Sequence, residues 1–240
     1  MGIETRRGTH MTGLPIVEIA PELQATGLVL GLLTAAVDPA AAADRAVRAA
    51  ALTRAGGDAA ARLGDRPPSS LPAVQAARSA YKQLGKDPAR YRPAAEALLR
   101  RARQGKDVSP IHPVVDVNNM VSLDSGISIG SYDRAKLRPP YRCRGGRDGE
   151  SYTGIGRGDL NLAGLPLLAD GTGPFGCPTS DSDRAAVGPD TRSILLVLYG
   201  FGAGDDGDAR GALDAALARA VGLLREHAGA GQVQTGTTGG

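Results

Sequence analysis

The sequence predicts an α+β fold. Strand signals open the chain, helical signals fill its middle, and strand signals return before a final helix; the two kinds of element are segregated rather than alternating one for one. Two continuous apolar runs, "ATGLVLGLLTAAV" (Ala25–Val37) and "SILLVLYGF" (Ser193–Phe201), read as strands, the second being the strongest strand signal in the chain. The apolar fraction is 42%, enough for a core in 240 residues, and that core must be aliphatic because Trp is absent and Phe occurs twice.

The elements follow in order. "LPIVEIAPELQ" alternates apolar residues as a strand does, and Pro21 ends it. Ala25–Val37 is the second strand. From Asp38 to Leu63, Ala, Arg and Asp recur at helical spacing, with Asp38-Pro39 expected as cap and first helical position. "GDRPPSSLP" breaks the chain. "AVQAARSAYKQLG" then puts Ala73, Ala76, Ala77, Ala80, Tyr81 and Leu84 on one helical face, and Gly85 stops it. In "KDPARYRPAAEALLRRARQGK", Pro93 suits a helix start, Glu96 the first turn, and the arginines the last turn, where the dipole favours cations. "PVVDVNNMVSL" reads as a helix and "GISIGSYD" as a strand. Arg138–Gly158 is a loop or a set of short hairpin strands. "LPLLADGTGPFGC" is strand, turn, strand; "SDSDRAAVGPDTR" is turn-like; "GAGDDGDARG" is an acidic loop; "ALDAALARAVGLLREH" is an amphipathic helix. Residues 1–13 are expected as a flexible N-terminus or tag remnant, 14–228 as a single domain, and 229–240 as a disordered tail.

Composition excludes several functions. A net charge of +3 is milder than a dedicated duplex binder usually carries, and suits weak phosphate contacts better than tight ones. Cys143 and Cys177 match no zinc spacing, His10, His112 and His227 are scattered, and no metal site or cofactor is expected. No signal peptide or membrane-spanning run is visible, so the expected setting is cytoplasmic, without a membrane partner. "GIGRGD" lacks the following helix that a phosphate loop needs, and no Ser-His-Asp arrangement can be built.

What stands out is "VVDVNNMVSLDSGISIGSYD" (Val114–Asp133). Asn118 and Asn119 interrupt an otherwise apolar segment, and an unpartnered buried amide costs on the order of a few kcal/mol. They either cross-link the fold's own backbone or bind something from outside. Asp181 and Asp183 beside Arg184 pose the same alternative: ligand recognition, or a solvated turn.

Several stretches together resemble one family: "YKQLGKDPARYRPAAEALLRRARQGK", "HPVVDVNNMVSLDSGISIGSYD", "LLADGTGPFGC", "SDSDR" and "DTRSILLVLYG". In this order they resemble the B3/B4 editing module of the phenylalanyl-tRNA synthetase β subunit, in its free-standing single-module type. The resemblance implies a three-layer fold with a β-sandwich of unusual topology and flanking helices. It implies a pocket that binds an amino acid and a positioned water that attacks the ester carbonyl, without metal or organic cofactor. By position, Asn119 matches the pocket asparagine and Asn118 its neighbour. Asp181 falls near the acidic residue that recognises the hydroxyl of a tyrosyl group, and Asn119 and Asp181 are the catalytic candidates. Gly171 and Gly173 match the turn lining the pocket, and Cys177 lies in the pocket-forming region. Gly130 and Ser131 stand where the synthetase carries a His-Ala pair, so the histidine is absent. Asn118, Gly130, Ser131, Gly171, Gly173 and Cys177 are thus candidates for substrate binding.

Ester hydrolysis of this kind needs only an oriented water and a steadied oxyanion, which amides and backbone N–H groups can supply. The densest basic cluster is Arg138, Arg142, Arg144, Arg147 and Arg157, interleaved with Tyr141 and Tyr152, with Lys82 and Lys86 in a second cluster; either contacts RNA or is solvated surface. The expected partner is an aminoacyl-tRNA or its aminoacyl end, for hydrolysis or transfer of the aminoacyl group. The alternatives are a non-hydrolytic module for a free amino acid or metabolite, and a small-molecule biosynthetic enzyme, to which the missing histidine and the acidic loop point.

Overall fold

A computed structural model describes residues 13–156, 158–202 and 208–239. Its elements are β1 (Val17–Ile19), α1 (Pro21–Gln24), β2 (Val29–Val37), α2 (Arg45–Leu63), α3 (Pro72–Gln83), α4 (Ala94–Arg103), α5 (Pro113–Ser125), β3 (Ser128–Asp133), β4 (Tyr141–Gly145), β5 (Ser151–Thr153), β6 (Asp159–Asn161), β7 (Pro166–Asp170), β8 (Gly173–Gly176), β9 (Ser193–Gly200), α6 (Asp208–His227) and β10 (Ala230–Gly239). The fold is α+β, as the sequence predicts. One sheet has the order β1-β4-β7-β8, a second the order β10-β2-β9-β3, and β5-β6 is a separate hairpin.

The burial of β9 explains the layering. Ile194, Leu196 and Leu198 pack with residues of α2, α4, α5 and α6 on one side. Leu195, Val197 and Tyr199 face the other sheet, with Val17, Ile19, Tyr141, Cys143, Leu168 and Phe175. A strand covered on both faces reads as a continuous apolar run, and each such side chain contributes about 1.5–3 kcal/mol on burial. Strand β2 divides the same way, Leu33 and Val37 towards the helices, Leu30 and Leu32 towards the sheet. Gly31 lets α6 close on this sheet, because a Cβ there would lie 3.1 Å from Leu213 Cγ.

Two local expectations are corrected. Asp38 does not start the long helix. It caps a single 3₁₀ turn at Pro39–Ala41, accepting from Ala40 N at 3.0 Å, and α2 begins only at Arg45. Ala43 N is drawn to the carbonyl of His227 at 3.2 Å, a tertiary bond that redirects the chain between the two pieces. The tail is not disordered: Ala230–Gly239 pairs antiparallel with β2. Its Gly- and Thr-rich composition signals disorder in isolation, but β2 offers an edge whose N–H and C=O groups need partners. Residues 1–12 of the expected flexible N-terminus, Arg157 of the basic cluster and 203–207 of the acidic loop lie outside the described residues. Among the described residues, no helix is long and apolar enough to cross a membrane.

Candidate functional site

Helix α5 starts cleanly. Pro113 stands at its first turn, His112 Nδ1 accepts from Val114 N at 3.3 Å, and Gly126 ends it at φ +74°. The other ring nitrogen of His112 meets the Gly188 carbonyl at 3.2 Å, so this histidine holds a loop, and burial pushes its pKa down. Asp116 is fully buried against Arg48 Nε at 2.8 Å and accepts from Ile111 N at 2.8 Å, a structural role.

The two asparagines separate because consecutive helical residues point about 100° apart. Asn118 is spent inside the fold. Its Nδ2 donates to the Ile129 carbonyl at 2.9 Å and to Ser131 Oγ at 2.8 Å, and its Oδ1 accepts from Ser122 Oγ at 3.3 Å, tying α5 to β3. Asn119 is half-buried on a cleft, and its amide has no hydrogen-bond partner among the described residues.

The facing wall is the segment after β8, Cys177–Asp181, which is clamped from several sides. Pro178 O accepts from Ala94 N at 2.8 Å, Thr179 Oγ1 meets Tyr81 Oη at 2.9 Å, and Tyr152 Oη donates to Ser180 O at 2.6 Å. At its end Asp181 accepts from Tyr132 Oη at 2.6 Å and from Ser131 N at 3.2 Å. Burial pushes the Asp181 carboxyl up to about 7, against the lowering effect of those two bonds. The group therefore exchanges its proton near neutrality.

A cleft of about 550 Å³ lies between α4, α5 and this segment. Asn118, Asn119, Ser122, Cys177 and Asp181 all line it, with Ile129, Ala94 and Leu98 supplying apolar wall. The amide from α5 and the carboxyl more than sixty residues later thus share one hollow.

Other candidates fall elsewhere. Ser131 supports the cleft from behind through its bonds to Asn118 and Asp181. Gly130 faces Tyr132 rather than the cleft: a Cβ there would lie 1.9 Å from Tyr132 Oη, and one on Gly176 would lie 2.0 Å from the same oxygen. The phenol is clasped between two glycines, so a side chain at position 130 and this placement of Tyr132 exclude each other. Gly171 and Gly173 form the β7–β8 turn, where Gly171 N bonds to Arg138 O and Gly173 N to Asp170, away from the cleft lining. Cys177 does line the cleft, but burial raises its thiol pKa, so it is a poor nucleophile there. Cys143 and Cys177 are both free.

The expected RNA-contacting cations do not border the cleft. Arg144 is bidentate on Glu150 at 2.8 and 2.7 Å, Arg142 pairs with Glu18 at 3.0 Å, and Arg138 donates to the carbonyls of Ala135 and Leu137. Lys86 stacks over Tyr91 at 4.2 Å, and Lys82 is exposed away from the opening. The cations that do border the cleft are Arg100, Arg101 and Lys106, at the end of α4. In the sequence these cations read only as compensation of the helix dipole. The available signal was the spacing Ala94, Ala97, Leu98, Arg101, which places Arg101 on the same helical stripe as the small residues of the wall. Tyr132 was also missed; the glycine two residues before it on the same strand face was its signal.

Comparison with known proteins places this architecture in a class. The family model described as "B3/4 domain" matches residues 76–229, well over half of the chain. The chain belongs to the B3/4 domain family. Its curated relatives include the phenylalanine–tRNA ligase β subunit of Brucella abortus, 35% identical over 66 residues, which are 27% of this chain and 8% of the relative. The β subunit of Mannheimia succiniciproducens is 31% identical over 91 residues, 37% of this chain and 11% of the relative. The matches therefore span about a tenth of those subunits. Among solved structures, an N-terminal fragment of the phenylalanyl-tRNA synthetase β subunit from Pyrococcus horikoshii aligns with TM-score 0.38 and 14% identity, over 86% of this chain and 51% of that one.

Proposed function

We propose that the cleft binds the aminoacyl end of an aminoacyl-tRNA and hydrolyses its ester. The observation that carries this reading is the placement of Asn119, whose amide has no partner among the described residues, and Asp181 in one hollow of about 550 Å³. That is room for an aminoacyl group and a water molecule. Asn119 orients the ester carbonyl or the water. Asp181, with its carboxyl pushed to about 7, takes a proton from the attacking water at neutral pH in its ionised form. The apolar wall of Ile129 and Leu98 contacts the side chain of the amino acid. Membership of the B3/4 family, found also in the β subunit of phenylalanine–tRNA ligase, supports an aminoacyl substrate. No metal or organic cofactor enters this reading, and a cytoplasmic setting follows from such a substrate.

The test is deacylation of a panel of charged tRNAs by the parent protein, Asn119→Ala and Asp181→Asn. Turnover by the parent that drops at least tenfold in both variants is expected. No turnover above buffer with any charged tRNA at micromolar protein rejects the hydrolytic reading. One observation favours a second reading, binding of an amino acid without hydrolysis: Asp181 already accepts from Tyr132 and Ser131, leaving less of it for water. Thermal stabilisation by a free amino acid, without turnover, selects that reading.

A further inference from the structure

The basic residues of this chain are not equally available to a polyanion. In the Arg138–Arg147 stretch, Arg144 is neutralised by Glu150, Arg142 pairs with Glu18, and Arg138 is folded onto backbone carbonyls. Arg78 and Arg92 share Glu96, Arg184 is held by Asp170, and Arg219 by Asp124. Arg100, Arg101 and Lys106 are exposed, and among the described residues none of them has an acidic partner. All three border the cleft. Arg101 Nε donates to the carbonyl of Asp107 at 2.8 Å, which holds its stem along the end of the helix and leaves its other nitrogens free.

A helix C-terminus carries about half a negative charge. One cation there answers the dipole; Arg100, Arg101 and Lys106 together exceed it and leave a net positive rim. They lie within the seven residues Arg100–Lys106, at the end of α4 and in the turn that follows it. Among the described residues no aromatic side chain lines this opening, so recognition there is by charge and not by base stacking.

We infer that the rim formed by Arg100, Arg101 and Lys106 is the docking surface for an RNA strand whose 3′ end enters the cleft. The phosphates lie along the end of α4, and Arg138, Arg142 and Arg144 do not take part. This deepens the aminoacyl-tRNA reading and rests on it for the identity of the polyanion. Phosphate contacts release counterions, so affinity falls with salt at about 0.7 of a log unit per contact for single strands. Three contacts correspond to a slope of about 2.

The experiment uses the full chain and a fluorescein-labelled RNA minihelix with a single-stranded 3′ CCA end and no amino acid, titrated by anisotropy from 25 to 200 mM salt. Arg100→Gln/Arg101→Gln/Lys106→Gln should weaken binding at least tenfold at 50 mM salt and lower the salt slope by about 2. Lys82→Gln/Arg138→Gln/Arg142→Gln should stay within twofold of the parent. All six side chains sit on exposed surface, and unchanged thermal midpoints separate lost docking from lost folding. The inference is overturned if the second triple variant loses binding instead, if the rim variant binds as the parent does, or if the parent does not bind the minihelix. Turnover of a small aminoacyl methyl ester, measured in parallel, separates the two claims. Parent turnover with no rim effect on RNA sinks the docking surface alone. Rim-dependent RNA binding without any ester turnover sinks the hydrolytic reading alone.

Discussion

Replacing Gly130 by alanine is the most direct probe of how the cleft is braced. In an ordinary strand Gly→Ala is stabilising by roughly 0.5–1 kcal/mol, because glycine loses more backbone freedom on folding. Here the sign reverses. The new Cβ falls 1.9 Å from Tyr132 Oη and 2.4 Å from its Cζ, about 1.5 Å short of ordinary contact. The ring cannot swing aside freely, because Gly176 approaches its opposite edge, where a Cβ would lie 2.7 Å from Cε1. Phe175 also packs on it edge to face at 4.8 Å. Any retreat breaks the 2.6 Å bond from Tyr132 to Asp181. Overpacking costs about 1–3 kcal/mol and a hydrogen bond to a charged group about 1.5–3 kcal/mol, so Gly130→Ala should lose about 3–5 kcal/mol. Urea unfolding of the parent and of Gly130→Ala measures it. The same substitution in a Tyr132→Leu background, where the clashing atoms are gone, should cost less than about 1 kcal/mol. A Gly130→Ala protein within about 0.5 kcal/mol of the parent, or an equal cost in both backgrounds, refutes the clasp.

Three further outcomes follow from the same geometry. Asn118→Ala removes both bonds to β3 and should destabilise by about 2 kcal/mol, whereas Asn119→Ala should stay within about 0.5 kcal/mol in urea melts; the reverse order would mean the two amides were assigned to the wrong roles. Arg48→Met strands the fully buried Asp116 carboxylate and should cost about 3–5 kcal/mol, with Asp116→Asn in addition recovering part of it; no recovery counts against the ion pair. The Asp181 carboxyl ionises near its ordinary value in the unfolded chain and at about 7 in the folded one, so between about pH 4 and 7 the folded state holds more protons. Its contribution therefore falls as pH rises through that window and levels off above it. The stability difference between parent and Asp181→Asn, followed by urea melts across pH, should drift in that direction, and a flat difference rejects the raised carboxyl.

Elements with a local cause are legible from neighbouring residues alone. Proline starts, glycine stops and the 3.6-residue period place α3, α4 and α5 within a residue or two, and the apolar runs place β9 and the end of β2, which begins at Val29, four residues after the run does. The sequence also brought the asparagine pair and Asp181 to attention as polar groups in unusual settings. What it could not decide was the fate of each polar group, because that depends on partners distant in the chain. Both asparagines border the cleft, but the Asn118 amide is consumed by β3 while that of Asn119 has no partner among the described residues, a difference set by which side of α5 the strand packs on. Arg142 meets Glu18, more than a hundred residues earlier, and Arg100, Arg101 and Lys106 border the cleft only because α5 and the segment after β8 pack beside α4. The Gly- and Thr-rich tail becomes β10 only because β2, some two hundred residues earlier, offers an unpaired edge. Periodicity and capping are short-range and are written in neighbouring residues; hydrogen-bond and charge pairing are settled only when the layers close.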